Sequence, residues 1–243
     1  GIKVENLCSL FDKVSEQTNH QVIFNLDATA GRRGGYHMLN EYGNIFLENR
    51  YTDWGNYYPY RTLRNLWQLS RYVPAEKMQV EFLNKWRNSG KYTSRDAFAP
   101  SKYDFDYLFA VTMAAQPLAW MEAANLPEDA FSTALLVNVY KGIQHDFHTG
   151  TILPIGEEPS GRAWTGFQSI TSDNTGYFIV YREDNNRLSA SLPTFLKSGQ
   201  NLELRLVAGK GKNFTTTAAE GGHITFELPE KNQFAIYQYQ ISK

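Results

Sequence analysis

Apolar side chains recur every three or four positions at the start of the chain, as Val4, Leu7, Leu10, Phe11 and Val14, with polar residues between them. That spacing predicts an amphipathic helix, and the run Gln21 to Leu26 after it reads as a short strand. Asn44 to Glu48 is a second strand candidate. Leu63, Leu66, Trp67 and Leu69 predict a helix over Arg61 to Tyr72, and Pro74 ends it because proline cannot continue the hydrogen-bond ladder. Met78, Val80 and Phe82 alternate, so Met78 to Leu83 reads as a third strand. Tyr107 to Ala115 looks helical, Pro117 to Met121 is a fourth short run, and Phe131, Leu135, Val139 and Ile143 mark a long helix over Glu128 to Phe147. Strands alternating with helices in this way imply parallel strands joined by crossover helices.

After Gly161 the pattern changes. Ala163 to Ile170, Tyr177 to Arg182, Leu202 to Val207, His223 to Leu228 and Phe234 to Ile241 are short runs separated by Asp-Asn-Thr-Gly, Asp-Asn-Asn, Lys-Ser-Gly and Pro-Glu-Lys-Asn. Short strands between turn-forming clusters predict an antiparallel β-sandwich. The expected division is an α/β part over 1–154 and an antiparallel β-sandwich over 155–243.

Composition narrows the function classes. The 243 residues are 42% apolar and 20% charged, enough to bury a core, and a formal net charge of -1 without a dense Lys/Arg stripe lacks the footprint of a nucleic-acid binder. The most apolar stretch, Leu108 to Ala124, is interrupted by Gln116, Pro117 and Glu122, which argues against a membrane span, and no signal peptide is read at Gly1. Cys8 is the one cysteine, so no disulfide forms within the chain, and it is expected to pack as a small hydrophobe. The sequon Asn213-Phe214-Thr215 is a single short match of little weight. His37, His145 and His148 fit no zinc spacing, and the His145 to His148 stretch reads as a polar helix end favoured by the helix dipole.

One loop stands out. Between Glu48 and Tyr60 the sequence interleaves Glu48, Arg50 and Asp53 with Tyr51, Trp54, Tyr57, Tyr58 and Tyr60. Charged hydrogen-bonding groups beside flat rings suit a polar ligand with an apolar face, such as a sugar. Aromatic content of 14% agrees with that, although a β-sandwich core needs rings as well. A structural ion-pair network for Glu48, Arg50 and Asp53, and core or interface packing for Trp54, Tyr57, Tyr58 and Tyr60, are the competing readings.

The ordered motifs VIFNLDATAGRRGGYH, NIFLENRYTDWGN, TLRNLWQLSRYVP, KMQVEFLN and QPLAWMEAANLP, followed by a long helix and β-strands, resemble the alpha-galactosidase and raffinose-synthase (melibiase-type) glycoside hydrolases. The resemblance implies a partial (β/α)8 TIM-type barrel followed by the antiparallel β-sandwich, with Val22 to Leu26, Ile45 to Glu48, Gln79 to Phe82 and Leu118 to Met121 as the fifth to eighth barrel strands. It also implies a retaining exo-glycoside hydrolase acting on alpha-galactoside-like substrates, with no organic cofactor and no metal. A full barrel takes roughly 250 residues, so the chain is expected to lack the strand that carries the nucleophilic Asp and to be inactive alone.

Either Glu48 or Asp53 stands near the place of the family's acid/base, the side chain that protonates the leaving oxygen about 5 Å from the nucleophile. Asp53 is favoured because Trp54 beside it offers an apolar wall, whereas Arg50 would lower a neighbouring carboxyl's pKa. Asp27 stands where the family has a Cys, and with Arg32, Arg50 and Trp54 it is expected to bind the sugar; an Asp holding loop amides is the equal alternative for Asp27. The other reading of the chain is a non-catalytic carbohydrate-binding or assembly module, associating with itself or completed by a second chain through the open half barrel.

Overall fold

A computed structural model describes residues 2–27, 41–47, 57–82, 85–86, 89–119 and 126–242. Its first part carries four parallel strands in the order β1 (Phe24–Asp27), β2 (Gly43–Phe46), β3 (Met78–Glu81) and β4 (Gln116–Leu118), each beside the next in sequence. Among the described residues β1 and β4 each have one unpaired edge, and no closed barrel is seen. Helices α1 (Ile2–Gln17), α2 (Pro59–Leu69), α3 (Phe105–Ala110) and α4 (Thr133–Thr149) accompany the sheet.

Helix α2 shows the local logic well. Pro59 opens it at a position where no amide donor is needed, Thr62, Leu63, Leu66 and Trp67 form its buried face, and Arg61, Arg64 and Gln68 lie on the other side. At its end the Ser70 hydroxyl donates to the Trp67 carbonyl at 3.2 Å. Helix α3 is shorter than its sequence suggests: helix stops at Ala110, and Val111 to Ala114 close as turns buried in the core. The long helix is entered through a 3-10 segment, Glu128–Ser132.

The stripe expected to bury α4 is only partly covered. Phe131, Leu135 and Val139 are 59%, 76% and 41% exposed, Ile143 is partly buried against the core, and the buried face is Thr133, Leu136, Tyr140 and Phe147. Helix α1 behaves similarly. Its Phe11 packs on Phe24 and Tyr42 at 4.5 and 5.0 Å between ring centroids, whereas Leu7 and Leu10 of the same stripe are 41% and 54% exposed. Cys8, on that helix, is half-buried. The first and last helices thus both leave apolar stripes uncovered among the described residues.

The second part is a six-stranded antiparallel sheet in the order β10-β9-β12-β7-β6-β5, formed by β5 (Thr151–Gly156), β6 (Trp164–Ile170), β7 (Thr175–Arg182), β9 (Asn201–Gly209), β10 (Phe214–Thr217) and β12 (Gln233–Ile241). A two-stranded ribbon of β8 (Ser189–Pro193) and β11 (His223–Glu227) covers one face, so the sandwich is unequal. Strand β7 explains the arrangement. Phe178 and Val180 enter a core with Trp164, Leu192, Ile224, Phe226 and Tyr237, while Tyr177, Ile179 and Tyr181 enter a core shared with α3, α4 and the parallel sheet. A strand buried on both faces reads as an unbroken apolar run, as β7 does. Strand β9 alternates instead, with Leu202 and Leu204 buried and Asn201, Glu203 and Arg205 in water.

Directed hydrogen bonds fix the six-stranded sheet to the α/β part. The Tyr181 hydroxyl donates to the Ala110 carbonyl at 2.6 Å, the Ser169 hydroxyl to Phe147 O at 2.6 Å, and Trp67 Nε1–H to Ile155 O at 3.0 Å. No helix of the described residues is long and apolar enough to cross a membrane.

Candidate functional site

In open α/β sheets ligands bind beyond the carboxyl ends of the strands. Those ends here are Asp27, Phe46, Glu81 and Leu118. Register aligns Leu26 with Ile45 and Ile45 with Met78, while Asn25 aligns with Asn44 and Phe46 with Gln79. One side of the sheet is therefore apolar and the other carries amides. Asn25 Nδ2 donates to Gln79 Oε1 at 2.6 Å across that polar side. Two residues beyond Gln79, Glu81 ends β3 with a carboxylate only 3% exposed. A parallel sheet enclosed by helices on both faces reads as continuous hydrophobic runs, so an amide- and carboxylate-bearing side faces something polar.

Asp27 is the last residue of β1 and pairs through its Cα with Phe46. Arg32, Glu48, Arg50, Asp53 and Trp54 lie outside the described residues, as does His37. What is described is the frame on either side of residues 48–56. Leu47 is buried and its N–H donates to Gln79 O at 3.0 Å, which anchors the chain as it leaves β2. The rings on the far side act as a clamp. Tyr57 N–H donates to the Tyr92 hydroxyl at 2.7 Å, that hydroxyl donates to Tyr57 O at 2.9 Å, and the Tyr58 hydroxyl donates to Asp96 at 2.7 Å. Tyr60 sits edge-on to Phe98 at 5.2 Å, and the Arg61 and Arg64 guanidinium groups lie over Tyr58 and Tyr60 at 4.7 and 5.2 Å. Tyr57, Tyr58 and Tyr60 are thus interface rings binding the loop after β2 to the segment after β3.

Glu81 was not marked by the sequence motifs. Its signal was the alternation in β3, where Gln79 and Glu81 occupy every second position of a strand whose other face, Met78 and Val80, is buried.

His148 is half-buried with both ring nitrogens engaged. Gln116 Nε2 lies 3.0 Å from Nδ1, and Nε2 lies 3.0 Å from the Tyr140 hydroxyl and 3.1 Å from Met113 O. Burial holds its pKa below the ordinary histidine value. It therefore ties α4 to the start of β4 as a neutral ring, instead of offering the helix end a cation. No group of three or more His, Cys, Asp and Glu able to hold a metal ion occurs among the described residues. The sequon falls on the turn before β10, where Asn213 Oδ1 accepts the Leu206 N–H at 2.8 Å.

Glu183, at the end of β7, is a second carboxyl that sequence patterning passed over. It is 1% exposed and accepts the N–H groups of Ser160 and Ala163 at 3.0 and 2.7 Å. Burial pushes its pKa up to about 7 against the lowering pull of those amides and of Arg64, and Tyr103 and Tyr107 lie close enough to feel its charge. Because the folded form keeps its proton to higher pH than the unfolded chain, the fold is favoured below about 4.5 and loses stability as pH rises to about 7. Glu183→Gln should flatten that slope in denaturant melts recorded across pH 4 to 8. An unchanged slope would show that Glu183 does not carry it.

No family model matches the sequence, and no curated protein matches it. Solved structures do. The galactosidase domain of the alpha-galactosidase-sucrose kinase AgaSK superposes with a TM-score of 0.68 over 96% of this chain at 12% identity. The GH36 alpha-galactosidase AgaB from Geobacillus stearothermophilus gives 0.67 over 97% at 15% identity. The chain shares the fold of a part of GH36 alpha-galactosidases. A substituted AgaA from the same organism, in complex with raffinose, gives 0.66 over 97% at 15% identity. The chain spans 31% of the length of each of these three structures.

Proposed function

We propose that the chain is the second half of a (β/α)8 barrel, residues 1–154, with its following β-domain, residues 155–243, from a retaining exo-glycoside hydrolase acting on alpha-galactoside-like substrates. The observation that carries this reading is the four-stranded parallel sheet in sequential order whose first and last helices, among the described residues, leave apolar side chains uncovered. In this reading the two edges left unpaired among the described residues are completed by further β/α units, which would pack on the exposed apolar side chains of α1 and α4. The fold likeness to alpha-galactosidases supports the same conclusion.

In this reading a carboxylate from the completing half attacks the anomeric carbon and forms a glycosyl ester as the bond to the leaving oxygen breaks. Asp53 protonates that oxygen, with Glu48 the other candidate, and then takes a proton from the water that hydrolyses the ester. Asp27, Arg32 and Arg50 hold sugar hydroxyls through charged hydrogen bonds, and Trp54 supplies the stacking wall. The buried Glu81 stands at the carboxyl end of β3 on the polar side of the sheet.

A protein in which four further β/α units precede this chain should cleave p-nitrophenyl alpha-galactoside and release galactose first as the α-anomer, followed by proton NMR. The 243-residue chain alone should give no turnover. Turnover by the chain alone, or release of the β-anomer first, would overturn the reading.

The uncovered stripes also favour a second reading, a non-catalytic carbohydrate-binding or assembly module whose open sheet is covered by another copy. Light scattering separates the two: a stable dimer that binds sugar without turnover in any longer form supports the module.

A further inference from the structure

A groove of about 670 Å³ opens on the β-domain between the β9–β10 turn and the end of β11. It lies on the ribbon side of the six-stranded sheet, the side away from α3 and α4. Phe214 stands within it half-buried, held edge-on by Tyr237 at 5.4 Å and by Phe226 at 6.2 Å. Leu188, 63% exposed, gives the same groove an apolar flank. Around this apolar surface stand Lys212 and Asn213 on one side and Thr225 and Glu227 on the other.

The β9–β10 turn is fixed in advance. Asn213 Oδ1 is committed to the Leu206 N–H, and Lys210 N–H donates to Phe234 O at 2.9 Å. The Tyr237 hydroxyl lies where a side chain at Gly211 would have to stand, so Gly211 is required for the turn to rest on Tyr237. Groove walls fixed by their own hydrogen bonds lose little entropy when a ligand enters.

A pyranose has one apolar C–H face and an edge of hydroxyls that both donate and accept. An aromatic and aliphatic surface between donors and a carboxylate acceptor matches both features. The volume is within the range of small-molecule sites. We propose that this groove is an accessory saccharide-binding site of the β-domain, which holds one or two pyranose units of a neutral oligosaccharide against Phe214 and Leu188. It is separate from the carboxyl ends of the parallel strands and does not rest on the catalytic reading.

Saturation-transfer difference NMR of the full chain with raffinose tests it, with 1-anilinonaphthalene-8-sulfonate as an apolar probe. Phe214→Ala should weaken raffinose binding about tenfold, and Glu227→Gln, an exposed position that leaves the core intact, about threefold. Leu135→Ala, at an exposed position of α4 outside the groove, should leave this binding unchanged. Loss of binding in Asp27→Ala with none in the two groove variants would place the sugar at the parallel sheet and overturn the proposal. Binding of the apolar probe alone would overturn it in favour of an apolar occupant. Raffinose binding that depends on Phe214 and Glu227 in a protein without glycosidase activity would uphold the groove while the catalytic reading fails.

Discussion

Asp53→Asn in the complete enzyme is expected to slow hydrolysis of substrates with poor leaving groups by about 10²–10⁴-fold, the usual worth of general acid–base catalysis. Activated aryl glycosides should suffer less, because a leaving group that departs unaided needs no proton. Glu48→Gln should instead raise KM or lower Tm while keeping the wild-type dependence on the leaving group. Reversal of the two patterns would move the acid/base to Glu48. If neither substitution changes rate or leaving-group dependence, the charges between Glu48 and Asp53 form a structural network and the site assignment fails. The comparison separates roles because a proton donor acts in the transition state alone, whereas an ion pair holding the loop acts in every state.

Much of the fold could be read from spacing, and the failures have physical causes. Helix α2 was legible because one buried stripe, an N-terminal Pro and a later Pro all agree. Strand β7 was legible as an unbroken apolar run because two cores meet on it. Strands β8 and β10 were not, since SASLP and FTTT each have a side in solvent and carry almost no hydrophobic signal. Strand β5 was hidden by Pro154 within it. Apolar periodicity finds a stripe but not its partner, and on α1 and α4 it found stripes the described structure leaves open. For the candidate site, sequence singled out the charged and aromatic loop, but Tyr57, Tyr58 and Tyr60 gave the same signal whether they met a sugar or each other. Their partners Tyr92, Asp96 and Phe98 lie more than thirty residues away, beyond the reach of any local pattern.

Phe147→Ala should cost this chain about 3–5 kcal/mol, because its ring is wholly buried where α4 meets the six-stranded sheet, 5.9 Å from Tyr177, and its loss leaves a cavity there. Leu135→Ala, on the opposite face of the same helix, should change stability by no more than about 0.5 kcal/mol in the chain alone, since the side chain is already 76% exposed. In the complete barrel the two positions should become alike. If the uncovered stripe of α4 packs against a preceding β/α unit, Leu135→Ala there removes a buried side chain and should cost about 2–5 kcal/mol in denaturant unfolding. A Leu135→Ala effect that stays near zero in the longer protein would show that no further unit covers α4, and the half-barrel reading would fall with it.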